Sequence, residues 1–326
     1  MQISLLFPTI LSFLITFLGV FIFLPFLRKY FMQEPNSRSS HNLPKPSGGG
    51  IAFVFAITSI DLFLDNKFSL LCLPLAIIGF LDDVFTLKKS IRYLSQFLTS
   101  ILILYQSNIF DNNLNNLDPL LIIFIIFSLI IFITGIINFT NFMDGADGLI
   151  CACLIIVFGV ASIKLSPFLL IIVASLIGFL PWNWQESKVF MGDGGSTFLG
   201  ALLAANLVKE FSYDSIKILA VSSPLFLDAL ICLLRRFSLN QPIFKAHNLH
   251  LFQRLYQSGM SHSKITLIYL FASSILGLFV VLDLNFLLIL SLVFIVSIGI
   301  YLDNYVAIPF RVSLDKKQSN FNHQDI

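Results

Sequence analysis

Long stretches of apolar residues, separated by short polar segments, repeat along the whole chain. They run without the alternation of polar and apolar positions that strands of a membrane β-barrel show. Continuous stretches of this length are typical of membrane-spanning α-helices, which satisfy all their backbone groups within the hydrocarbon. We predict an all-α, polytopic membrane protein, with residues 1–326 forming a single transmembrane catalytic domain. About 11 transmembrane helices are expected, at residues 3–27, 50–65, 68–82, 93–108, 119–138, 148–164, 167–181, 196–209, 216–234, 264–282 and 286–303.

The polar segments divide into two alternating sets that differ strongly in positive charge. Sixteen of the 20 Lys and Arg residues fall in one set, and four fall in the other. Positive residues accumulate on the cytoplasmic side of membrane proteins, so we predict an N-terminus outside and a cytoplasmic C-terminus. The clustered acids and histidines lie in the same set, which predicts an active site on the cytoplasmic face. The segments concerned are 28–49, 83–92, 139–147, 182–195 and 235–263, with a tail at 304–326.

The composition supports a membrane protein and argues against other classes. Of the 326 residues, 57% are hydrophobic and 12% are charged, about half the charged share of a soluble domain. The net charge of +2 includes no basic tract, which argues against nucleic-acid binding. The four cysteines lie in apolar segments without a CxxC pair, so neither a zinc site nor a disulfide framework is indicated. The first apolar segment is too long for a signal peptide, which predicts an uncleaved first span.

Two pairs of carboxylates lie at predicted membrane boundaries. Asp82 and Asp83 close an apolar segment in "GFLDDVFTLKK", where a solvated helix end beside lysines is an alternative interpretation. Asp144 and Asp147 follow another apolar segment in "NFMDGADGL". If a helix begins there, both acids occupy its first turn, where the helix dipole favours negative charge. Capping alone does not explain the two glycines and Asn141, so we interpret this stretch as part of a binding site.

Three further segments combine glycines or bases in ways that suit phosphate. Asp193 stands among glycines in "FMGDGGSTFLG", where a turn can offer backbone N–H groups to phosphate, with a tight loop as the alternative. His247 and His250 form an H-x-x-H sequence in a basic loop. A metal site there would need a third ligand, so we favour phosphate or sugar-phosphate binding over a solvated basic loop. Residues 35–53 hold bases, among them Lys45, before a glycine triplet, and a flexible hinge is the alternative there.

Together these clusters indicate phosphate chemistry with a divalent cation on one face of a membrane. Carboxylates bind a hard cation such as Mg²⁺, and the cation offsets phosphate charge. His, Arg and Lys side chains would bind the remaining phosphate oxygens.

Five motifs in a fixed order carry a resemblance to a known family. They are "PNSRSSH…GGG", "GFLDDVFTLKKSIRYLSQ", "NFMDGADGL", "FMGDGGSTFLG" and "HNLHLFQRL", between about residues 35 and 256. The chain resembles the polyprenyl-phosphate N-acetylhexosamine-1-phosphate transferases, or glycosyltransferase family 4, and most of all the bacterial priming transferases of O-antigen and teichoic acid synthesis. The resemblance implies that undecaprenyl phosphate attacks the β-phosphorus of a UDP-N-acetylamino sugar. UMP would leave, and a lipid-linked sugar diphosphate would remain in the inner (plasma) membrane.

The resemblance also implies roles for individual residues. Asp193 is implied as a ligand of Mg²⁺, or of Mn²⁺, and Asp82 and Asp83 are implicated in catalysis. The lipid phosphate is already largely dianionic at pH 7, because its second pKa is near ~6, so we favour positioning, metal binding or lysine pairing for that pair over obligate base work. The implied substrate-binding residues line the nucleotide site, contact uracil, or bind sugar and diphosphate. These are Asn141, Asp144, Asp147, Asn183, Phe190, His247, His250, Arg254 and Lys45.

The chain departs from the family pattern at two places. Ser47 stands where the priming branch usually has a basic residue, and Lys45 lies two residues earlier. The H-x-x-H sequence replaces a run of histidines, which points away from a muramyl-pentapeptide substrate. UDP-GlcNAc is therefore the default donor, with UDP-FucNAc and UDP-QuiNAc as alternatives.

Two rival functions remain from the residues alone. A transporter would place its acids near mid-span, whereas the acids here lie at segment ends. A prenyltransferase would also use Asp and Mg²⁺, but its paired D-x-x-x-D motifs are absent from the sequence. The sequence leaves open whether two copies associate as a homodimer.

Overall fold

The computed structural model describes residues 2–35, 43–66, 68–107, 109, 117–209, 211–243 and 247–314, which form α-helices joined by short segments. Two short strands, β1 (Met32–Gln33) and β2 (Lys45–Pro46), pair antiparallel. The all-α prediction is confirmed for the described part of the chain. Its helices are α1 (Gln2–Tyr30), α2 (Ile51–Phe63), α3 (Leu73–Phe85), α4 (Lys89–Tyr105), α5 (Pro119–Phe142), α6 (Leu149–Lys164), α7 (Leu170–Asn183), α8 (Gly192–Lys209), α9 (Tyr213–Val221), α10 (Ser223–Ser238), α11 (Leu251–Gln257), α12 (His262–Val281) and α13 (Asn285–Tyr305).

Each predicted apolar segment coincides with helical structure, but not every helix is long enough to cross a bilayer. Within the described residues, five helices qualify by length and composition, or six when α9 and α10 count as one span. Helices α2 and α6 and the segment Pro167–Asn183 are apolar but shorter. The number of 11 spans and their orientation therefore stay predictions.

The segment predicted as one span at 216–234 consists of two helices. Helix α9 ends at Val221, α10 begins at Ser223, and their axes differ by 74°. Pro224 lies in the first turn of α10, where its missing N–H costs nothing, whereas it could not continue the preceding helix. The bend brings Asp228 of α10 to the start of α11, where its carboxylate accepts hydrogen bonds from the backbone N–H groups of Leu251 and Phe252.

Apolar side chains cover the outer faces of the long helices. Leu120 and Phe124 of α5 are 76% and 66% exposed, and Phe286 of α13 is 78% exposed. Water would penalise so large an apolar surface, whereas lipid tails would not. The outer faces of α5 and α13 are therefore suited to contact lipid.

Helix α8 lies at the centre of the molecule and is buried along most of its length. It packs against α3 on one side and α5 on another. The crossing with α3 depends on facing glycines, because a Cβ at Gly79 would lie 2.5 Å from the backbone nitrogen of Gly194. Small residues let helix backbones approach closely in membrane proteins. This close packing places the first residues of α8 beside the last residues of α3.

Candidate active site

Three helix ends meet where the sequence predicts the catalytic acids. Asp82 and Asp83 lie in the last turn of α3, Asn141 lies in the last turn of α5, and Asp193 begins α8. The backbone N–H of Asp193 donates to Asp83 Oδ1 at 3.2 Å. Asn141 Nδ2 donates to Asp193 Oδ1 at 3.1 Å. The structure therefore brings the predicted catalytic acids and Asn141 together in one acid cluster.

Arg92 of α4 supplies the counter-charge of this cluster. Its guanidinium bridges two carboxylates, with Nη1 2.7 Å from Asp82 Oδ2 and Nη2 2.8 Å from Asp193 Oδ2. Sequence reasoning used Arg92 for orientation and missed it as a site residue. Arg92 lies one helical turn after Lys88, in the polar stretch that follows the acid pair. This position could have indicated a base that pairs with the acids. The guanidinium offsets like charges that would otherwise repel each other.

Asp144 and Asp147 lie in a turn before α6, at residues 143–148, and not in the first turn of a helix as the sequence suggested. Helix α6 begins at Leu149, after Gly148 with a φ of 72°. That left-handed backbone favours glycine and separates the acids from the helix. The two carboxylates consequently have different surroundings, and the turn links the acid cluster to a neighbouring cleft.

Asp144 belongs to the acid cluster. Burial raises the pKa of its carboxyl to about 7, and repulsion from Asp193 and Asp147 adds to this effect. The side chain still retains part of its exposure. A carboxyl with a pKa near 7 is protonated in a substantial fraction of molecules at neutral pH, so this group can accept a cation by losing its proton.

Asp147 faces the cleft and is held there by several donors. Ser187 Oγ donates to Asp147 Oδ1 at 2.9 Å, and Lys45 Nζ lies 3.5 Å from Oδ2. The backbone N–H of Asp147 donates to His262 Nδ1 at 3.2 Å. Burial alone would raise the pKa of Asp147, but its neighbours His262, Lys45 and Ser187 outweigh burial and lower that pKa to about 2. Asp147 is therefore a carboxylate at neutral pH, whereas Asp144 titrates.

The cleft beside Asp147 has a volume of about 780 Å³. Most of the residues that line it are polar or charged, and they include Lys45, Ser187, Tyr256 and His262. Phe190 is not a lining residue, but Lys45 Nζ lies over its ring, 5.4 Å from the ring centroid. Lys45 thus reaches the cleft although Ser47 occupies the position before the glycine triplet.

Backbone pairing explains how Lys45 and Phe190 come together. The N–H of Phe190 donates to the carbonyl of Pro46 at 2.8 Å, and the N–H of Gly49 donates to the carbonyl of Phe190 at 2.9 Å. Asn183 is buried, and its Nδ2 donates to the carbonyl of Val189 at 3.1 Å. Asn183 therefore fixes the segment that carries Phe190, and its direct contact with uracil stays a prediction.

The H-x-x-H loop lies on the other side of the 143–148 turn. The ring of His250 packs against that of Phe142, with centroids 6.1 Å apart. His250 is buried, and this burial lowers the pKa of its ring, so that the imidazole is neutral at pH 7. Arg254 is 2% exposed and donates to the carbonyls of Leu249 and Ile308. In this structure Arg254 holds the loop in place, and substrate contacts of these side chains stay predictions.

Sequence reasoning missed three residues that hold this region together besides Arg92. Ser187 and His262 position Asp147. Asp228 of α10 accepts hydrogen bonds from α11 and from Tyr269 Oη at 2.8 Å. An ionisable residue within an apolar segment already indicates that a polar partner lies nearby, so the sequence could have identified Asp228 as a structural residue. Ser187 and His262 are single polar residues, and no sequence pattern indicated them. Of the bases noted in the sequence, Arg38, His41 and Lys245 lie outside the described residues.

The acid cluster fits a hard divalent cation. Asp82, Asp83, Asp144 and Asp193 are close enough to interact electrostatically, and oxygen ligands are those that Mg²⁺ prefers. Asp83 Oδ2 is buried and has no hydrogen-bond partner among the described residues. A Cβ at Gly192 would lie 2.3 Å from that oxygen and 2.8 Å from the backbone nitrogen of Gly48, so only a glycine fits beside the carboxylate. A buried carboxylate oxygen without a partner is unfavourable by itself, and a bound cation would relieve it.

Comparison with known proteins shows what the chain is similar to. The model of glycosyl transferase family 4 matches residues 67–210. A Bacillus subtilis protein named probable undecaprenyl-phosphate N-acetylglucosaminyl 1-phosphate transferase is 26% identical over 290 residues, covering 79% of this chain and 80% of that protein. An undecaprenyl-phosphate α-N-acetylglucosaminyl 1-phosphate transferase of Thermotoga maritima is 28% identical and covers 56% of this chain and 58% of its own length. These matches support the polyprenyl-phosphate N-acetylhexosamine-1-phosphate transferase superfamily as the family of this chain.

A second branch of the transferase superfamily also matches. A phospho-N-acetylmuramoyl-pentapeptide-transferase of Geobacillus thermodenitrificans is 25% identical over 60% of this chain and 71% of that protein. The family match contains the whole acid cluster and Arg92, whereas Lys45 and the H-x-x-H loop lie outside it. The family similarity and the apolar helices together confirm a multi-pass membrane protein.

Proposed function

We propose that this transferase moves an N-acetylhexosamine 1-phosphate from a UDP-sugar to undecaprenyl phosphate on the cytoplasmic face of the plasma membrane. The products would be UMP and an undecaprenyl-diphosphate-sugar, which starts a cell-surface polysaccharide. UDP-GlcNAc is the donor we favour, because the Bacillus and Thermotoga relatives are named for N-acetylglucosaminyl 1-phosphate transfer.

The observation that carries this proposal is the position of the 143–148 turn between two different sites. One end of the turn places Asp144 at the acid cluster, and the other places Asp147 in the polar cleft. A UDP-sugar has a nucleotide at one end and a diphosphate in the middle. It therefore needs a cleft for the nucleotide and, next to it, an acid cluster for the diphosphate. The acid cluster alone would also fit an ion-binding membrane protein.

The cleft offers groups that suit the uridine half of the donor. Uracil presents two carbonyl acceptors and one N–H donor. Asp147 supplies an acceptor, Lys45 and Ser187 supply donors, and Tyr256 supplies an aromatic ring in the lining. The uridine would bind at the Asp147 end of the turn and the diphosphate at the Asp144 end, so the donor would bind in one orientation.

The acid cluster would hold the reacting phosphates next to the membrane. Asp193, Asp83, Asp82 and Asp144 are the residues that would bind Mg²⁺. When bound, the cation would offset the charge of the diphosphate and of the leaving UMP. Arg92 keeps Asp82 and Asp193 in place through its two ion pairs. The acceptor phosphate is largely ionised at neutral pH, so Asp82 and Asp83 act in positioning and need not remove a proton.

The proposal is tested with purified full-length protein in detergent, undecaprenyl phosphate and a panel of UDP-sugars. We expect Mg²⁺-dependent release of UMP with UDP-GlcNAc, and a loss of at least about 100-fold in Asp193→Asn. Arg311→Gln changes an exposed charge on the C-terminal segment and serves as the matched control. If UMP were released only from UDP-FucNAc or UDP-QuiNAc, that sugar and not UDP-GlcNAc would be the donor. Release from none of the panel would overturn the proposal.

A further inference from the structure

A cysteine on α10 lies beside the two histidines of the H-x-x-H loop. Cys232, His247 and His250 each offer one ligand atom, and these atoms lie within 4.8 Å of one another. The sequence separates Cys232 from His247 by 15 positions, so the pattern alone did not show a third ligand. The bend before α10 supplies that ligand. We propose that these three side chains bind a divalent transition-metal ion such as Zn²⁺.

The ligand chemistry separates this site from the acid cluster. Thiolate and imidazole are the ligands that Zn²⁺ prefers, whereas Mg²⁺ prefers carboxylate and water oxygens. On binding, the Cys232 thiol would lose its proton to the solvent and form a sulfur–metal bond. Three protein ligands leave a fourth position of a tetrahedral ion for a water molecule.

Hydrogen bonds anchor described residues on either side of His247. Before the histidines, the Arg236 guanidinium donates to the carbonyls of Pro242 and Ile243. After His247, Arg254 Nε donates to the carbonyl of Leu249 at 3.1 Å. Ligands that are already in place lose less conformational entropy when an ion binds.

His250 gives an independent indication of a missing partner. The residue is 3% exposed, and its Nδ1 has no hydrogen-bond partner among the described residues. Asp228 Oδ1 lies 3.8 Å from that nitrogen, which is too far for a hydrogen bond. A buried polar atom without a partner is unfavourable, and coordination or a bond made on binding would relieve it.

Binding is tested directly with Co²⁺ on the detergent-solubilised full-length protein, with excess Mg²⁺ to occupy oxygen sites and a non-coordinating reductant. We expect one Co²⁺ per chain with a thiolate-to-cobalt charge-transfer band, and we expect Zn²⁺ to displace it. Cys232→Ser should lose the band, whereas Cys72→Ser should keep it. Cys72 is also buried and free but lies on the 3-10 turn Phe68–Cys72, so it is the matched control.

A second variant covers the case in which Cys232→Ser does not fold. His247→Asn changes a half-buried loop residue and should weaken Co²⁺ binding at least tenfold, while its melting temperature without metal stays near that of the wild type. No thiolate band in the wild type, or a band that persists in Cys232→Ser, would overturn the proposal, as would wild-type affinity in a folded His247→Asn variant. The readout does not depend on UMP release, so the metal site and the transferase activity can fail separately.

Discussion

At the residue scale, the acid cluster depends on one arginine. Asp82 and Asp193 come from different helices, and both bind the guanidinium of Arg92. The planar guanidinium can serve two carboxylates at once, which a single ammonium group cannot do in the same geometry. Without a counter-charge, the carboxylates would repel each other and weaken the contact of α3 with α8.

The first prediction concerns this counter-charge. In chelator, Arg92→Gln should lower the melting temperature by a few degrees, corresponding to about 1–2 kcal/mol for two partly exposed ion pairs. Saturating Mg²⁺ should stabilise the variant more than the wild type, because the cation replaces the lost positive charge. Thermal unfolding in detergent, with and without Mg²⁺, measures both effects, and Arg311→Gln is the control. An equal Mg²⁺ shift in wild type and Arg92→Gln would contradict this role.

The second prediction concerns Asp144. Since its pKa is raised to about 7, the carboxyl is mostly neutral at pH 6 and mostly ionised at pH 8. Protons and Mg²⁺ compete for ionised carboxylates, so the apparent Mg²⁺ affinity should rise about tenfold over this range. Asp144→Asn should bind Mg²⁺ more weakly and flatten the pH dependence. Calorimetric titration with Mg²⁺ at pH 6, 7 and 8 tests this, and a flat wild-type profile would count against it.

The sequence singled out the acids that the fold brings together, but not the residues that hold them in place. Asp82, Asp83, Asp144, Asp147 and Asp193 stand out because charge is rare in apolar segments. The sequence could not show that Asp144 and Asp147 differ in pKa. The pKa of Asp147 is lowered by His262, Lys45 and Ser187, which are distant in sequence. The charge state of each acid depends on contacts between residues that are distant in the sequence, and a local sequence pattern does not reveal such contacts.

At the element scale, the crossing of α3 and α8 fixes the distance between the catalytic helix ends. Gly79 and Gly194 face each other so closely that neither tolerates a larger side chain without movement. Asp82 and Asp83 follow Gly79 by one turn, so any separation of the two helices moves both acids away from Asp193.

The third prediction tests this crossing. Gly79→Ala should destabilise the protein by about 1–3 kcal/mol through overpacking and should lower UMP release more than tenfold. Gly135→Ala makes the same change on α5, where an added Cβ would meet nothing within 4 Å. That control should be neutral or slightly stabilising, because Ala favours helix over Gly. Melting temperature and initial rate are measured for both, and similar behaviour of the two variants would refute the crossing argument.

The apolar pattern predicted where helices occur but not how they bend or begin. Every predicted segment coincides with helical structure, since burial in lipid demands long apolar runs. The 74° bend between α9 and α10 was missed because Pro224 is a single residue in a continuous apolar run. Helix α6 begins only at Leu149, because Gly148 has a left-handed backbone conformation and the residues before it form a turn.

At the scale of the whole molecule, the polar chemistry is gathered at one end of the helices. The last turns of α3 and α5, the first turn of α8 and the start of α12 all contribute to the acid cluster or the cleft. The positive-charge bias of the same loops predicts that this end faces the cytoplasm, as the proposed function requires.

The fourth prediction concerns this orientation. In a background with all four native cysteines replaced, Lys188→Cys should react with a membrane-impermeant maleimide after lysis but not in intact cells. Asp118→Cys, which precedes α5 and lies on the predicted outer face, should react in intact cells. Labelling of Lys188→Cys in intact cells would reverse the proposed orientation.

The central claim is the transfer of a sugar phosphate to a lipid phosphate. The most direct measurement uses UDP-GlcNAc labelled at the β-phosphorus, with purified protein and undecaprenyl phosphate in liposomes. The account predicts that the label moves into the lipid fraction in a one-to-one ratio with released UMP, and that Asp193→Asn abolishes both. Label that stays in the aqueous fraction while UMP is formed, or no UMP at all, would contradict it.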